Sequence, residues 1–466
     1  MGTELRLHAR QFVLARRLHY IGPDWKHVPV GHGWLLSHDP ALVMTATDEG
    51  FILGQSVQVE PEGQLSRAGR FCTIAYPRVL PDAAGLLNVY FGEGAEGNFV
   101  TSSPAIAQIL GAQHEPLRRL IWGHGMGMNW NPLPGSPLKG IRRLLRDQAL
   151  DLSSFSVSFR REATLAPLSA EQSALDTLCN SLRTTTASLV NQGRLLLALT
   201  AGVDSRTLAA TLLSNNVRFE CVTQNFRGVK RADVTVARDI CRYIGVRHHV
   251  IDSGATDDGP VDVWRQHTLG SYDDADNNVL FNADQYRFLQ RDHILVRGGL
   301  FEVGRRFYAS RFGDLSYENS TGEALFRRFE KSTVDDKAIL SLDGWLQWRR
   351  DNDNGLDLVD GFYIDQRVGG WFACAEQALD LLPGRSFHPA NSLPVMRALV
   401  TPNPEERKSG KLQREAIAQM APELLRFPFN PVSVGQKIRN RTRELSQLAR
   451  RKASPVKRWL RRAVGT

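Results

Sequence analysis

Thr200, Gly202, Asp204 and Ser205 stand together just past an apolar run at 195–199. Such a run suits a buried parallel strand. The spacing of Thr207, Leu208, Thr211 and Leu212 predicts a helix beginning near Ser205. The start of a helix carries backbone N–H groups without intrahelical acceptors, and the helix dipole favours an anion there. Gly202 lets a ligand come close to the backbone, and Thr200 and Ser205 can donate to phosphate oxygens. That chemistry is phosphate binding. The same residues also read as an ordinary helix start, because Asp204-Ser205 is a common N-cap pair. No G-x-x-x-x-G-K-[ST], H-E-x-x-H, G-x-S-x-G or dinucleotide fingerprint occurs.

These residues need a scaffold, and the flanking pattern supplies one. Ala174, Leu175, Leu178, Leu182 and Leu189 fall on one helical stripe ahead of the 195–199 strand. A strand at 219–223, a helix at 232–244 and a strand at 247–251 follow. Alternation of this kind predicts a doubly wound α/β sheet, which binds ligands at the carboxyl ends of its strands. Upstream, short β-prone runs at 33–36, 71–76, 87–91 and 155–159 are separated by Gly, Pro and Asp turns. Beyond about 320 the pattern is mostly helical. No repeat of 20–50 residues is present.

Thr200-Ala-Gly-Val-Asp-Ser205 resembles the S-G-G-x-D-S pyrophosphate loop of the PP-loop ATP pyrophosphatases, and its setting resembles the synthetase domain of the asparagine synthetase family. Three stretches agree in order and spacing: Asp233 to His248, Ile294-Leu-Val-Arg-Gly-Gly-Leu-Phe-Glu302, and Lys411-Leu-Gln-Arg-Glu-Ala-Ile417 followed by Pro422. Upstream, Gly140-Ile-Arg-Arg-Leu144 and Leu150-Asp-Leu152 resemble the end of that family's glutaminase domain. The resemblance implies an Ntn-like β-sandwich at 1–165, a PP-loop parallel sheet (adenine nucleotide alpha hydrolase-like) at 166–435, and a basic tail at 436–466.

By the same resemblance, ATP adenylates a carboxylate, releasing pyrophosphate, and ammonia or an amine then displaces AMP to form an amide. Thr200, Ala201, Gly202, Val203, Asp204 and Ser205 would hold pyrophosphate. Val222 and Gln224 would meet adenine and ribose, and Gly298 and Gly299 would form a second tight turn. Glu302 and Lys411 would be catalytic. Mg²⁺ would sit on Asp204 and Glu302, with Asp204 equally able to anchor the loop backbone. Arg305 and Arg306 read either as phosphate contacts or as surface charges.

The chain departs from the family in three places. Residue 2 is Gly and the first cysteine is Cys72, so the nucleophile of a working glutaminase is missing. The second turn keeps Glu302 but lacks the neighbouring aspartate. Pro428 and Asn430 stand where amide-forming relatives carry R-x-K. A charge-stabilising lysine would then come from Lys411 or Lys408. Residues 272–278, with three acids and two amides, read as a solvated loop or as a wall for a polar substrate. His248-His249 is assigned no chemistry.

Composition sets outer limits. The 466 residues are 42% hydrophobic and 23% charged, which is ordinary for a globular chain. No apolar run approaches the roughly 20 residues of a membrane span. The N-terminus has no apolar stretch of signal-peptide length, and Arg6 stands where a myristoylation signal needs Ser or Thr. Five scattered cysteines predict reduced thiols and a cytoplasmic setting. Residues 436–466 hold eleven basic side chains against the single acid Glu444, so the net charge of +9 belongs to the tail. That tail reads as a solvated basic helix or as an arm for an anionic partner. Two further readings stay open: a non-catalytic nucleotide-binding or interaction protein, and a PP-loop enzyme that modifies RNA.

Overall fold

The computed structural model describes residues 9–17, 22–59, 67–122, 128–225, 231–252, 258–272, 289–313, 315–329 and 334–431. Its first third is antiparallel. One six-stranded sheet runs, edge to edge, through Arg142–Arg143, Tyr90–Gly94, Gly97–Thr101, Phe12–Ala15, Trp34–His38 and Lys26–Gly31. A second runs through Ser156–Phe159, Gln148–Asp151, Arg78–Pro81, Arg67–Ala75, Gly50–Gln58 and Met44–Thr47. Alternate residues of both sheets meet in one apolar layer that includes Phe12, Leu14, Trp34, Leu36, Leu53, Ile74, Val79 and Leu150. The sheets therefore stack face to face, as period-two patterning requires. Cys72 lies inside that layer, and burial pushes its thiol well up, which suits packing and not nucleophilic attack.

The later part is built on a five-stranded parallel sheet. Its order is His248–Asp252, Phe219–Asn225, Arg194–Ala198, His293–Val296 and Arg385–Phe387. The Arg194–Ala198 strand is central, paired in parallel with Phe219–Asn225 on one side and His293–Val296 on the other. Leu195, Leu196 and Leu197 are buried on both faces, which explains the unbroken apolar run. The chain winds outward to one edge and then crosses to the far side of the central strand. That reversal is a topological switch point, and it lies at the carboxyl ends of Arg194–Ala198 and His293–Val296. The Arg385–Phe387 edge strand lies within the stretch expected to be mostly helical. At three residues it is too short to carry a periodic signal.

Helix Ala174–Val190 opens with Ser173, whose hydroxyl accepts from the Asp176 amide. It packs against the helix Leu393–Val400 and against Val203–Ser214, called the loop helix below. The stretch Phe362–Phe372 winds as a π-helix, an i→i+5 coil often found at functional positions. Gly370 lets this coil press on Trp130, since a Cβ there would stand 2.4 Å from the ring's Cδ1. The Trp130 ring is fully buried and has little room to yield. Gly370→Ala is therefore expected to cost roughly 1–3 kcal/mol through overpacking, read as a lower urea midpoint.

A buried ion cluster joins the antiparallel and parallel parts. Arg349 pairs with Asp147, its Nη2 donating to Oδ1 at 2.9 Å, and its Nε lies 2.8 Å from Asp365 Oδ2. Arg146 Nε lies 3.3 Å from Asp365 Oδ1, and Trp345 Nε1 donates to Asp365 Oδ2 at 2.9 Å. All five free cysteines are buried. No helix among the described residues is long and apolar enough to cross a membrane. The basic tail and most of 272–278 lie outside the described residues. Tyr272 itself is buried against Trp264 and Trp371.

Candidate functional site

The loop helix begins at Val203, two residues earlier than the periodicity predicts, and Gly202 is its N-cap. Asp204 and Ser205 thus fall in the first turn and do not cap it. Gly202 has no side chain to offer, so the first-turn amides receive no side-chain acceptor. The preceding turn is held together from within. Ser205 Oγ accepts from the Thr200 amide at 3.1 Å and lies 3.0 Å from Thr200 Oγ1. Thr200 Oγ1 accepts from the Gly202 amide at 3.1 Å. The Ala201 amide donates to Asp233 Oδ1 at 2.9 Å. The expectation of a bare hexapeptide needs correction: amides 200, 201 and 202 are spent on the turn, and those of Val203, Asp204 and Ser205 are left for a ligand.

Arg206 fastens this turn from behind. Its guanidinium donates to the carbonyls of Ala201, Phe427 and Pro428, at 3.3, 2.7 and 2.9 Å. It also stacks 3.8 Å from the Phe429 ring centroid. The Asn430 amide donates to the Ala201 carbonyl at 3.1 Å. Pro428 and Asn430, noted for lacking a basic side chain, serve here as backbone partners of the loop.

A cavity of about 420 Å³ opens in front of the helix start. That size is ordinary for a small-molecule site. Its lining brings together Thr200, Gly202, Asp204, Ser205, Gln224, Gly298, Gly299 and Glu302. These come from the carboxyl ends of three parallel strands, at the switch point. Gly298 lies so close to the helix start that a Cβ on it would stand 3.2 Å from the Ser205 nitrogen. A Cβ on Gly299 would stand 2.4 Å from the Phe372 ring. Both glycines serve close approach, and neither has a positive φ.

The remaining wall was not legible in the sequence. The π-helix contributes Tyr363, Arg367, Val368, Trp371 and Phe372, spaced four or five apart so that one face lines the cavity. Tyr363 Oη donates to Glu302 Oε2 at 2.8 Å, and burial, with Glu302 alongside, drives the phenol's pKa well up. Arg367 stacks on the rings of Phe307 and Trp371, 4.5 and 4.7 Å from their centroids. Trp371 Nε1 is buried without a hydrogen-bond acceptor, a donor that a ligand can satisfy. Arg297 pairs with the buried Glu376, and His388 Nε2 lies 2.8 Å from Glu376 Oε2. Burial alone would raise the Glu376 carboxyl, but Arg297 and His388 outweigh it and hold it at about 2.

Several expected residues lie elsewhere. Val222 is buried in the apolar layer with Leu196, Ile251 and Leu295, away from the lining. Ala201 and Val203 are buried beneath the turn and contribute backbone only. Lys411 does not line the cavity. Its ammonium, half exposed, lies 2.6 Å from Glu406 and 3.9 Å from Glu415. Lys408 pairs with Glu405 at 2.6 Å on the surface. Arg306 pairs with Asp357 at 2.6 Å and turns toward a larger, polar cavity of about 660 Å³. That cavity has no strand terminus in its wall, and the helix start it does hold, at Leu358, is already capped by the Asp357 side chain.

Asp204 and Glu302 are the acids in the cavity lining that could face a Mg²⁺ ion. Arg305 engages both oxygens of Asp204, with Nη2 donating to Oδ2 at 2.8 Å and Nη1 to Oδ1. One oxygen of Glu302 is taken by Tyr363. Among the described residues no three His, Cys, Asp or Glu side chains converge as metal ligands. Mg²⁺ at a nucleotide is usually held by one or two carboxylates together with phosphates and waters, and Asp204, with both oxygens engaged by Arg305, does not fit that role as placed. Burial lifts the Asp204 carboxyl to about 6 against the pull of Arg305, which leaves the pair ionised at pH 7.5.

No family model matches the chain, and no curated protein matches it. Among solved structures it is similar to a glutamine-dependent NAD+ synthetase from Acinetobacter baumannii, solved in complex with ADP. Identity is 13%, the match covers 46% of this chain and 51% of that one, and the TM-score is 0.17. The chain thus spans about half the length of that enzyme, and so low a TM-score carries no assignment.

Proposed function

We propose that the protein is an ATP-dependent amide-forming ligase of the asparagine synthetase family, without glutaminase activity, working on a natural-product, peptide or glycan substrate. The observation that carries the reading is the uncapped loop helix opening into a cavity at the switch point of a parallel sheet. Amides at a helix start suit a polyphosphate, and a fixed set of donors stabilises charge as it develops. In the reaction, a carboxylate oxygen attacks the α-phosphorus, the bond to the β-phosphate bridge breaks, and pyrophosphate leaves. An amine then attacks the acyl carbon and AMP departs. Residues 203–205 would hold the leaving pyrophosphate through their amides. Arg367 and Arg297, the basic side chains in the lining, would face the carboxylate substrate or the α-phosphate. Trp371 and Phe372 would exclude water from the acyl-adenylate.

ATP–pyrophosphate exchange with a panel of carboxylates tests this reading. We expect exchange with at least one of them, falling by about 100-fold or more in Arg367→Met, a loss of roughly 3 kcal/mol of transition-state stabilisation. The second reading, a nucleotide-binding protein without catalysis, is favoured by the absence of any lysine from the lining among the described residues. Nucleotide binding without exchange across the panel would select it.

A further inference from the structure

Asp204 already has a cation. Arg305 grips both its carboxylate oxygens, and burial, which would lower the Arg305 pKa, is outweighed by Asp204 and Glu302. The Arg305 side chain is 28% exposed and that of Asp204 is 16%, so the pair is partly withdrawn from water. In that setting an unpaired carboxylate beside the first-turn amides would repel a polyphosphate strongly. A divalent ion on Asp204 would meet the same trouble with reversed sign, since it would stand against a guanidinium. The chain at Gly410 passes near Arg305, since a Cβ there would lie 3.8 Å from Arg305 Cδ. The ion pair is therefore part of the packed wall and not a loose surface contact.

We propose that this site takes its nucleotide without a divalent cation on Asp204, because Arg305 supplies in permanent form the charge a metal would bring. The proposal rests on the nucleotide reading above. Arg305 acts through Asp204: it neutralises the first-turn carboxylate of the loop helix and leaves amides 203–205 to meet the phosphates. A neutral pair at that position also serves ATP and ADP alike.

Calorimetric titration of the full chain with ATP, in excess EDTA and again in excess Mg²⁺, tests this directly. The expected result is an affinity within about tenfold in the two conditions, or less than 1.4 kcal/mol. Binding more than tenfold weaker in EDTA overturns the proposal while leaving the nucleotide reading intact. Absence of binding in both conditions overturns both. Two variants separate charge from folding. Arg305→Met leaves Asp204 unpaired, and ATP affinity in EDTA is expected to fall by more than about 30-fold, or ~2 kcal/mol. Asp204→Asn combined with Arg305→Met removes both charges, and affinity is expected to return to within about fivefold of the parent. A double variant as weak as the single one would assign Arg305 a packing role and overturn the proposal.

Discussion

Arg349→Met is expected to lower the stability of the protein by about 3–5 kcal/mol, the range for removing one partner of a fully buried ion pair. Arg349, Asp147 and Asp365 are all wholly shielded from water. Arg349 stands between the two carboxylates, so its removal leaves Asp147 and Asp365 buried with Arg146, and Arg160 beside Asp147, to offset them. The cluster ties the antiparallel part to the helices that carry the cavity wall. Its loss should therefore shift the urea transition of both parts together. The pH dependence has a definite sign. Burial would raise the Asp147 carboxyl, but Arg349 and Arg146 outweigh it and bring it down to about 2 in the folded chain. A carboxyl depressed on folding stabilises above its ordinary value near 4 and stops doing so as the pH falls toward 2. Acid titration of the parent should show stability lost across pH 4 to 2, with Glu376 contributing in the same window. Arg349→Met should show a shallower dependence there. A parent protein indifferent to pH between 4 and 2 would rule this account of the cluster out.

Gly298→Val is expected to weaken ATP binding by about 100-fold or more, some 2.7 kcal/mol, while leaving the fold standing. A Cβ on residue 298 would meet the Ser205 nitrogen at 3.2 Å and the Asp204 carbonyl carbon at 3.3 Å. Both are backbone atoms, so the first turn must give by a few tenths of an ångström. The branched methyls of valine would then project over the first-turn amides, the groups left to bind phosphate. Gly298 does not have a positive φ, so valine brings no backbone strain of that kind. Calorimetry with ATP, alongside a circular dichroism melt, separates the two effects. Unchanged affinity in a folded variant would remove residues 203–205 from the binding site.

Much of this scaffold is legible in the chain because parallel strands buried on both faces need continuous apolar runs. Leu195 to Leu199 announces the central strand, and the leucines of 174–190 announce the helix packed beneath it. The turn at 200–205 is legible as a strand-to-helix turn, because Gly202 and two hydroxyl residues stand between the apolar run and the helix pattern that follows. The π-helix wall is not legible. Its residues are spaced four and five apart, a period that neither helix nor strand templates detect, and Gly369-Gly370 reads as a break where the structure uses it for close packing. Lys411 shows the opposite failure. Its motif matches in order, yet Glu415, one turn on, and Glu406, on the preceding helix Pro404–Ser409, hold the ammonium at the surface. The sequence leaves Arg305 between a phosphate contact and a surface charge; the structure pairs it with Asp204, a partner that sequence cannot show.

The most direct measurement is the position of a bound triphosphate. Crystals grown with a non-hydrolysable ATP analogue should place phosphate oxygens about 3 Å from the amide nitrogens of Val203, Asp204 and Ser205, with the base or ribose toward Gln224. An analogue seated instead in the polar cavity beside Arg306 and Asp357, with the start of the loop helix left bare, would contradict the account.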